Sequence, residues 1–242
     1  GHATAYFWHE TLEPKTFLDI LGKFISVEVK EVENPKTNKK TFNSTLLFPR
    51  YHQLNAVNRL LAETLAEGVG HSYLVMHSPG SGKSNTIGWS SHRLSNLFDE
   101  NDQKLFTTVI VITDRKVLDQ QLQDKIKQFE ATPGVVVKID ENSTQLAEAL
   151  DGEAKIVVTT IQKFPFILTK IGSMKNRRFA VIIDEAHSSQ GGRATAAMSM
   201  ALSEGGAEQE DETTEDKINR IIETRKLLPN ASYFAFTATP KS

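Results

Sequence analysis

Leu74-Val75-Met76-His77-Ser78-Pro79-Gly80-Ser81-Gly82-Lys83-Ser84 is the stretch on which the reading of this chain turns. A short apolar run of strand character leads into a Gly-rich turn, and the turn closes on Gly-Lys-Ser ahead of a helix-compatible segment. Gly80 and Gly82 let the backbone wrap tightly around an anion, so that successive N–H groups point inward. A helix opening near Lys83 aims its N-terminal partial positive charge at the same point. On this reading Gly80, Ser81, Gly82, Lys83 and Ser84 form a phosphate-cradling P-loop. Lys83 reaches the terminal phosphates of a nucleotide, and the Ser84 hydroxyl holds Mg2+. His77 stands where the usual spacing has glycine. That position is where the strand ends, outside the tightest part of the cradle, so the loop is expected to survive the change. Alone, the stretch would also suit a surface turn that happens to precede a lysine.

A second anchor decides against the surface turn. Ala180-Val181-Ile182-Ile183-Asp184-Glu185-Ala186-His187 delivers two adjacent carboxylates to the end of a strand. Asp184 is expected to hold Mg2+, directly or through water, and Glu185 to orient or deprotonate the attacking water. The chain between the anchors alternates strands and helices. Thr107 to Thr113 is a continuous β-branched run, the signature of a strand buried on both faces of a parallel sheet. Helices are expected over Lys83 to Phe98, Val117 to Phe129 and Ser143 to Leu150, and strands over Val135 to Ile139, Ile156 to Thr159 and Ala231 to Phe236. Ser203 to Lys217 reads as a solvated acidic loop, followed by a helix over Glu215 to Leu228. The fold class is therefore α/β: a three-layer domain on a mostly parallel central sheet.

Upstream of the P-loop, Phe48-Pro49-Arg50-Tyr51-His52-Gln53 enters a helix with Leu54, Val57, Leu61 and Leu65 on one side. The planar amide of Gln53 carries a donor and an acceptor, complementary to N6 and N7 of adenine. Gln53 is expected to select adenine, with Phe48 or Tyr51 near the ring. Basic and hydroxyl residues also fall at strand ends, where open α/β sheets bind their ligands. Arg115 and Lys116 follow one strand; Thr160 and Lys163 follow another. These four are candidates for a nucleic-acid phosphate backbone, and Lys175-Asn176-Arg177-Arg178 is a weaker one.

Residues 1–45 read as an N-terminal extension and 46–242 as the main domain. In the extension, Phe17, Leu18, Leu21, Phe24 and Ile25 recur at helical spacing after Pro14, and Ile25 to Val32 alternates like a strand. A charged turn, Asn34 to Lys40, follows. Of the 242 residues, 39% are hydrophobic, which excludes global disorder. There is no cysteine, so disulfides and cysteine metal sites are excluded, in keeping with a reducing, cytoplasmic compartment. No apolar run approaches membrane-spanning length. The net charge of −2 means that any nucleic-acid contact must be made by a local basic patch.

In order along the chain, Gln53, Gly80-Ser81-Gly82-Lys83-Ser84, Asp184-Glu185-Ala186-His187 and Thr237-Ala238-Thr239 resemble the Q-type, Walker A, Walker B and third motifs of superfamily-two helicases and translocases. Within that group the wording resembles the motor (R, restriction) subunit of type I restriction-modification enzymes. The resemblance rests on Pro49-Arg50-Tyr51-His52-Gln53, His77 before the P-loop, Val111-Ile112-Thr113-Asp114-Arg115, and Asp184-Glu185-Ala186-His187-Ser188-Ser189-Gln190. It covers about residues 5–242. It implies a first RecA-like motor lobe that binds ATP and helps to pull double-stranded DNA, with His187, Thr237 and Thr239 coupling nucleotide state to DNA grip. It also implies methylation and specificity subunits as partners, and no membrane. The chain stops just after the third motif, so a second lobe with its arginine finger is expected outside it. A strand-separating DNA or RNA helicase and a non-catalytic nucleotide-binding docking module are the alternatives.

Overall fold

The strand Thr108–Thr113 (β4) is buried at every position, as its β-branched run predicts. It lies inside a six-stranded, wholly parallel sheet together with Ser72–His77 (β3), Val136–Lys138 (β5), Ile156–Thr160 (β6), Phe179–Asp184 (β7) and Ala231–Ala238 (β8). The strand order is β3-β8-β7-β4-β6-β5. The computed structural model describes residues 5, 7–33, 40–78, 80–113, 116–130, 134–139, 143–152, 154–184 and 228–238, without the side chains of residues 30–33, 116–121, 143, 162, 165 and 238.

Alternation along the strands feeds two cores, one on each face of the sheet. Val109, Val111, Ala180 and Ile182 point to a cluster completed by the helices Tyr51–Glu67 (α2), Lys83–Ser95 (α3) and Lys116–Gln128 (α4), through Leu54, Val57, Ile87, Trp89, Leu122 and Ile126. Ile110, Ile112, Val181 and Ile183 point the other way, onto Ser143–Asp151 (α5) and Phe164–Ser173 (α6), through Leu146, Leu150, Phe164, Ile167 and Ile171. These are the three layers. β3 is an edge strand, and its outward-facing Leu74 and Met76 are each 61% exposed.

The crossover pattern places the site. The chain leaves β3 through α3 and re-enters the sheet at β4, passing over the two positions that β7 and β8 later occupy. Because every strand runs the same way, the ends of β3, β7 and β8 share one edge, beside this crossover.

Before the sheet come a π-helical turn (Phe7–Thr11), a helix at Pro14–Lys23 (α1) and an antiparallel pair, Ser26–Glu33 (β1) with Lys40–Leu47 (β2). Pro14 opens α1, and the Glu13 carboxylate accepts from Thr16 N at 2.8 Å. These elements are fastened to α3 and α4. Trp89 Nε1–H donates to Phe24 O at 2.8 Å, Arg93 Nη1 meets both Asp19 oxygens at 3.0 and 3.1 Å, and Lys125 pairs with Glu28.

Several expectations need correction or fall outside the described residues. β2 was not expected; its sequence alternates weakly and all but its last residue are exposed. α6 was not expected either, because its run is too uniformly apolar to show a helical period; Pro165 near its start was the available sign. Leu65, assigned to the inner side of α2, is exposed, and Leu60 and Thr64 take that side instead. The turn expected over 34–40, whose Lys40 instead opens β2, the acidic loop at 203–217 and the helix expected over 215–228, whose Leu228 is not helical, otherwise lie outside the described residues. Among the described residues no helix is long and apolar enough to cross a membrane.

Candidate nucleotide-binding site

The loop after β3 has the backbone that its glycines were expected to supply. Gly80 and Gly82 sit at φ 76° and 88°, in the left-handed region that side chains disfavour. Ser81 N–H donates to Ser78 O at 3.1 Å, closing the turn. Gly82 then caps α3, its carbonyl accepting from Asn85 N and Thr86 N at 3.1 and 3.2 Å. The first turn of α3 thus opens on Lys83 and Ser84 with its orphan N–H groups at the loop.

The two anchors meet. Lys83 Nζ lies 3.0 Å from Asp184 Oδ1, with the lysine and aspartate side chains 15% and 11% exposed. Between their strands runs β8, whose Phe236 is level with Asp184 on one side and with Val75 on the other. Thr237, one residue further on, is buried level with Met76.

Gln53 belongs to the same assembly, but its amide faces the loop. Nε2 donates to Ser81 O at 3.2 Å and to Gly82 O at 3.0 Å, while Oε1 accepts from Arg50 N at 2.9 Å, satisfying one free N–H at the start of α2. The groups expected to read adenine are engaged within the protein in this structure. Phe48 and Tyr51 are exposed at the entry to α2, and the Tyr51 hydroxyl donates to Glu10 Oε2 at 3.2 Å.

Two further residues that sequence reasoning did not single out for the site touch the loop. His52 Nε2 lies 3.0 Å from Ser81 O, and His77 Nδ1 lies 2.9 Å from Ser81 Oγ. The His77 ring is buried, stacked on Phe236 at 6.2 Å and edge-on to His52 at 6.2 Å. Burial, followed by the nearby positive charges of His52 and Lys83, holds its pKa below the usual histidine value. The available sign for both was in plain view: a histidine beside the glutamine, and a histidine in place of a motif glycine.

A magnesium ion fits the donor set. Among the described residues the Ser84 hydroxyl and the Asp184 carboxylate would be its protein ligands, and no cluster of three or more His, Cys, Asp or Glu there could hold a metal. Few protein oxygens supplemented by substrate phosphates is the usual arrangement for magnesium and differs from an all-protein cage. Glu185, His187, Thr239 and Arg115 lie outside the described residues, as does the side chain of Lys116.

The candidate nucleic-acid contacts are less well assembled. Thr160 ends β6 and Lys163 follows it, on the same sheet edge as the P-loop, but the Thr160 side chain is buried and Lys163 Nζ donates to Ile139 O at 2.9 Å. Lys175 to Arg178 must be corrected. This run precedes β7, so it lies at the opposite edge of the sheet, where Arg177 donates to Leu150 O and Gly152 O and Arg178 to Lys104 O.

A Gly-rich loop on one parallel strand, meeting an acid at the end of another with a single strand between them, defines a RecA-like P-loop nucleotide-binding lobe. The family model described as SWI2/SNF2 ATPase matches residues 52–242. The chain belongs to the SWI2/SNF2 ATPase family, which gives it ATP as its nucleotide. It is 28% identical, over 96% of its own length, to the type I restriction enzyme HindI endonuclease subunit of Haemophilus influenzae, and spans 20% of that relative. Among solved structures, it is similar to a nuclease-deletion mutant of the type ISP restriction-modification enzyme LlaGI in complex with a DNA substrate mimic. That similarity has a TM-score of 0.49 and 16% identity, over 80% of this chain and 18% of the other. It is also similar to the UvsW helicase from bacteriophage T4, with a TM-score of 0.42 and 15% identity over 94% of this chain and 61% of the other.

Proposed function

We propose that this chain is the ATP-binding motor lobe of a type I restriction enzyme R subunit, acting in ATP-dependent translocation of double-stranded DNA in support of endonucleolytic cleavage. The observation that carries the ATPase part is the 3.0 Å meeting of Lys83 and Asp184. The restriction part is supported by the likeness, along nearly the whole chain, to the HindI subunit. Methylation and specificity subunits would be the partners, and the cytoplasm the compartment.

In this reading the N–H groups of Gly80 to Ser84 and the Lys83 ammonium bind the phosphates. Lys83 exchanges Asp184 for the phosphates when nucleotide enters, which frees the carboxylate to serve as a ligand. Ser84 and Asp184 would hold Mg2+, which neutralises charge on the phosphate oxygens. Glu185 orients the attacking water. His187, Thr237 and Thr239 pass the nucleotide state on, and Arg115, Lys116, Thr160 and Lys163 line the path of the DNA backbone. An arginine finger contributes about 10³ to 10⁵ in rate, and we assign it to a second lobe outside this chain.

The test is ATPase activity of the full polypeptide that carries this lobe, with and without nucleic acid. Stimulation by duplex DNA supports the reading. Stimulation only by single strands or RNA would move the assignment to a strand-separating helicase. If Glu185→Gln left turnover unchanged, the lobe would be a docking module.

A further inference from the structure

We infer that His52 and His77 are positioning residues for the phosphate cradle: together with Gln53 they grip Ser81 from two sides and aim the N–H groups of Gly82 and Lys83. The inference deepens the proposed ATPase function and rests on it.

In a planar trans peptide the N–H points opposite to the C=O. Ser81 C=O shares a peptide with Gly82 N–H, and Gly82 C=O shares one with Lys83 N–H. His52 and Gln53, adjacent at the start of α2, hold the Ser81 carbonyl at 3.0 and 3.2 Å, and Gln53 also holds the Gly82 carbonyl at 3.0 Å. With the Ser81 carbonyl pulled toward α2, the Gly82 N–H faces away from it; the Gly82 carbonyl is shared by Gln53 and the first turn of α3, which together set the direction of the Lys83 N–H. The two N–H groups are thereby fixed before any anion arrives, and pre-organised donors bind an anion without paying the ordering cost at that moment.

The His52 tautomer follows from its partner. A carbonyl oxygen only accepts, so His52 must carry its proton on Nε2. His77 reaches the same residue from β3, with Nδ1 at 2.9 Å from the Ser81 hydroxyl. Its ring cannot swing away easily, because it is buried and stacked on Phe236. Ser81 is thus restrained at its carbonyl from one element and at its hydroxyl from another. The Gln53 amide packs so closely on the loop that a Cβ at Gly82 would lie 2.4 Å from Nε2.

The experiment is ATP titration and steady-state ATPase on the full chain, with paired variants. His52→Ala removes the donor. His52→Gln puts an amide nitrogen near the place of Nε2 and keeps it. We expect His52→Ala to weaken ATP binding and raise KM about five- to tenfold, the loss of one oriented hydrogen bond, with kcat within about twofold. His52→Gln should stay within about twofold of the parent. The same split is expected at His77 between Phe, which keeps the stacking, and Asn, which keeps a hydrogen-bonding group near Nδ1. This second pair carries the test if His52→Ala does not fold. Equal ATP affinity in His52→Ala and the parent, or equal weakness in His52→Ala and His52→Gln, overturns the inference. If the parent itself binds no ATP, the failure lies instead with the proposed function.

Discussion

Replacing Gly82 by alanine should cost far more stability than the same change at Gly80, and the excess should depend on Gln53. Both glycines have positive φ, so each alanine carries the left-handed penalty of about 1–2 kcal/mol. At Gly80 that is the whole cost, because a Cβ there meets nothing within 4 Å. At Gly82 the Cβ would sit 2.4 Å from Gln53 Nε2, far inside contact distance. Gln53 is 2% exposed, so its amide cannot retreat into water. Displacing it leaves buried donors and acceptors unmet, for about 1–3 kcal/mol more. The expected totals are about 1–2 kcal/mol for Gly80→Ala and about 2–5 kcal/mol for Gly82→Ala. Urea unfolding, followed by the fluorescence of buried Trp89, measures both. A double-mutant cycle completes the test: with Gln53→Ala in the background, the excess at Gly82 should shrink by about 1–3 kcal/mol. Equal costs at the two glycines, or an excess that survives removal of Gln53, would refute the packing argument.

Three shorter predictions come from other parts of the molecule. Asn230 Nδ2 donates to the carbonyls of Ile171, Met174 and Arg177 at 3.0, 3.1 and 3.1 Å, gathering the end of α6 onto the start of β8. Asn230→Ala should therefore destabilise by about 1–3 kcal/mol in urea unfolding, and a loss below about 0.5 kcal/mol would contradict that role. Trp89→Phe leaves the Phe24 carbonyl without its 2.8 Å donor and a gap beside Phe129, so unfolding followed by circular dichroism should show a loss of about 2–4 kcal/mol. Burial holds the pKa values of His77 and His92 below the ordinary 6.5. The unfolded chain then binds more protons than the folded one as pH falls below 6.5, so stability is lost from there down to the folded pKa values. Thermal melts between about pH 7.5 and 5.5 should show the midpoint falling with pH. His92→Gln, which keeps a donor toward Ile126 O, should make the slope shallower, and an unchanged slope would exclude His92 as a contributor.

What the sequence revealed and what it hid divide along physical lines. β4 and β7 were legible because a strand buried on both faces must be apolar at nearly every position, and few other segments look like that. The cradle was legible because Gly-Ser-Gly-Lys-Ser encodes backbone conformation directly. Partner choice was not. A glutamine announces one donor group and one acceptor, but nothing local says whether adenine or a loop carbonyl will meet them, and at Gln53 the carbonyls of Ser81 and Gly82 do. Lys175 to Arg178, already the weaker candidate beside the commoner reading of a solvated loop, could have been dropped. Residues that precede a strand in a parallel sheet stand at its amino edge, whereas ligands gather at the carboxyl edge, so a charged run before β7 could have been set aside from its position alone.

The histidine at the head of the P-loop shows how a motif departure can be decided by backbone geometry. Glycine is required where φ is positive, and in this loop that falls on Gly80 and Gly82. His77 is still part of β3, paired in register with Ala238, and among the described residues only Asp102 is a non-glycine with positive φ. No conformational demand therefore excludes a side chain at position 77. The space a glycine would have left there is filled by an imidazole stacked on Phe236 of the neighbouring strand and bonded to Ser81 of the loop. The substitution leaves the cradle intact, as its position suggested, and adds a contact between the cradle and β8. Thr237 is the penultimate residue of β8, so His77 joins the phosphate loop to the strand that carries this threonine. A glycine at position 77 would leave that junction to backbone pairing alone.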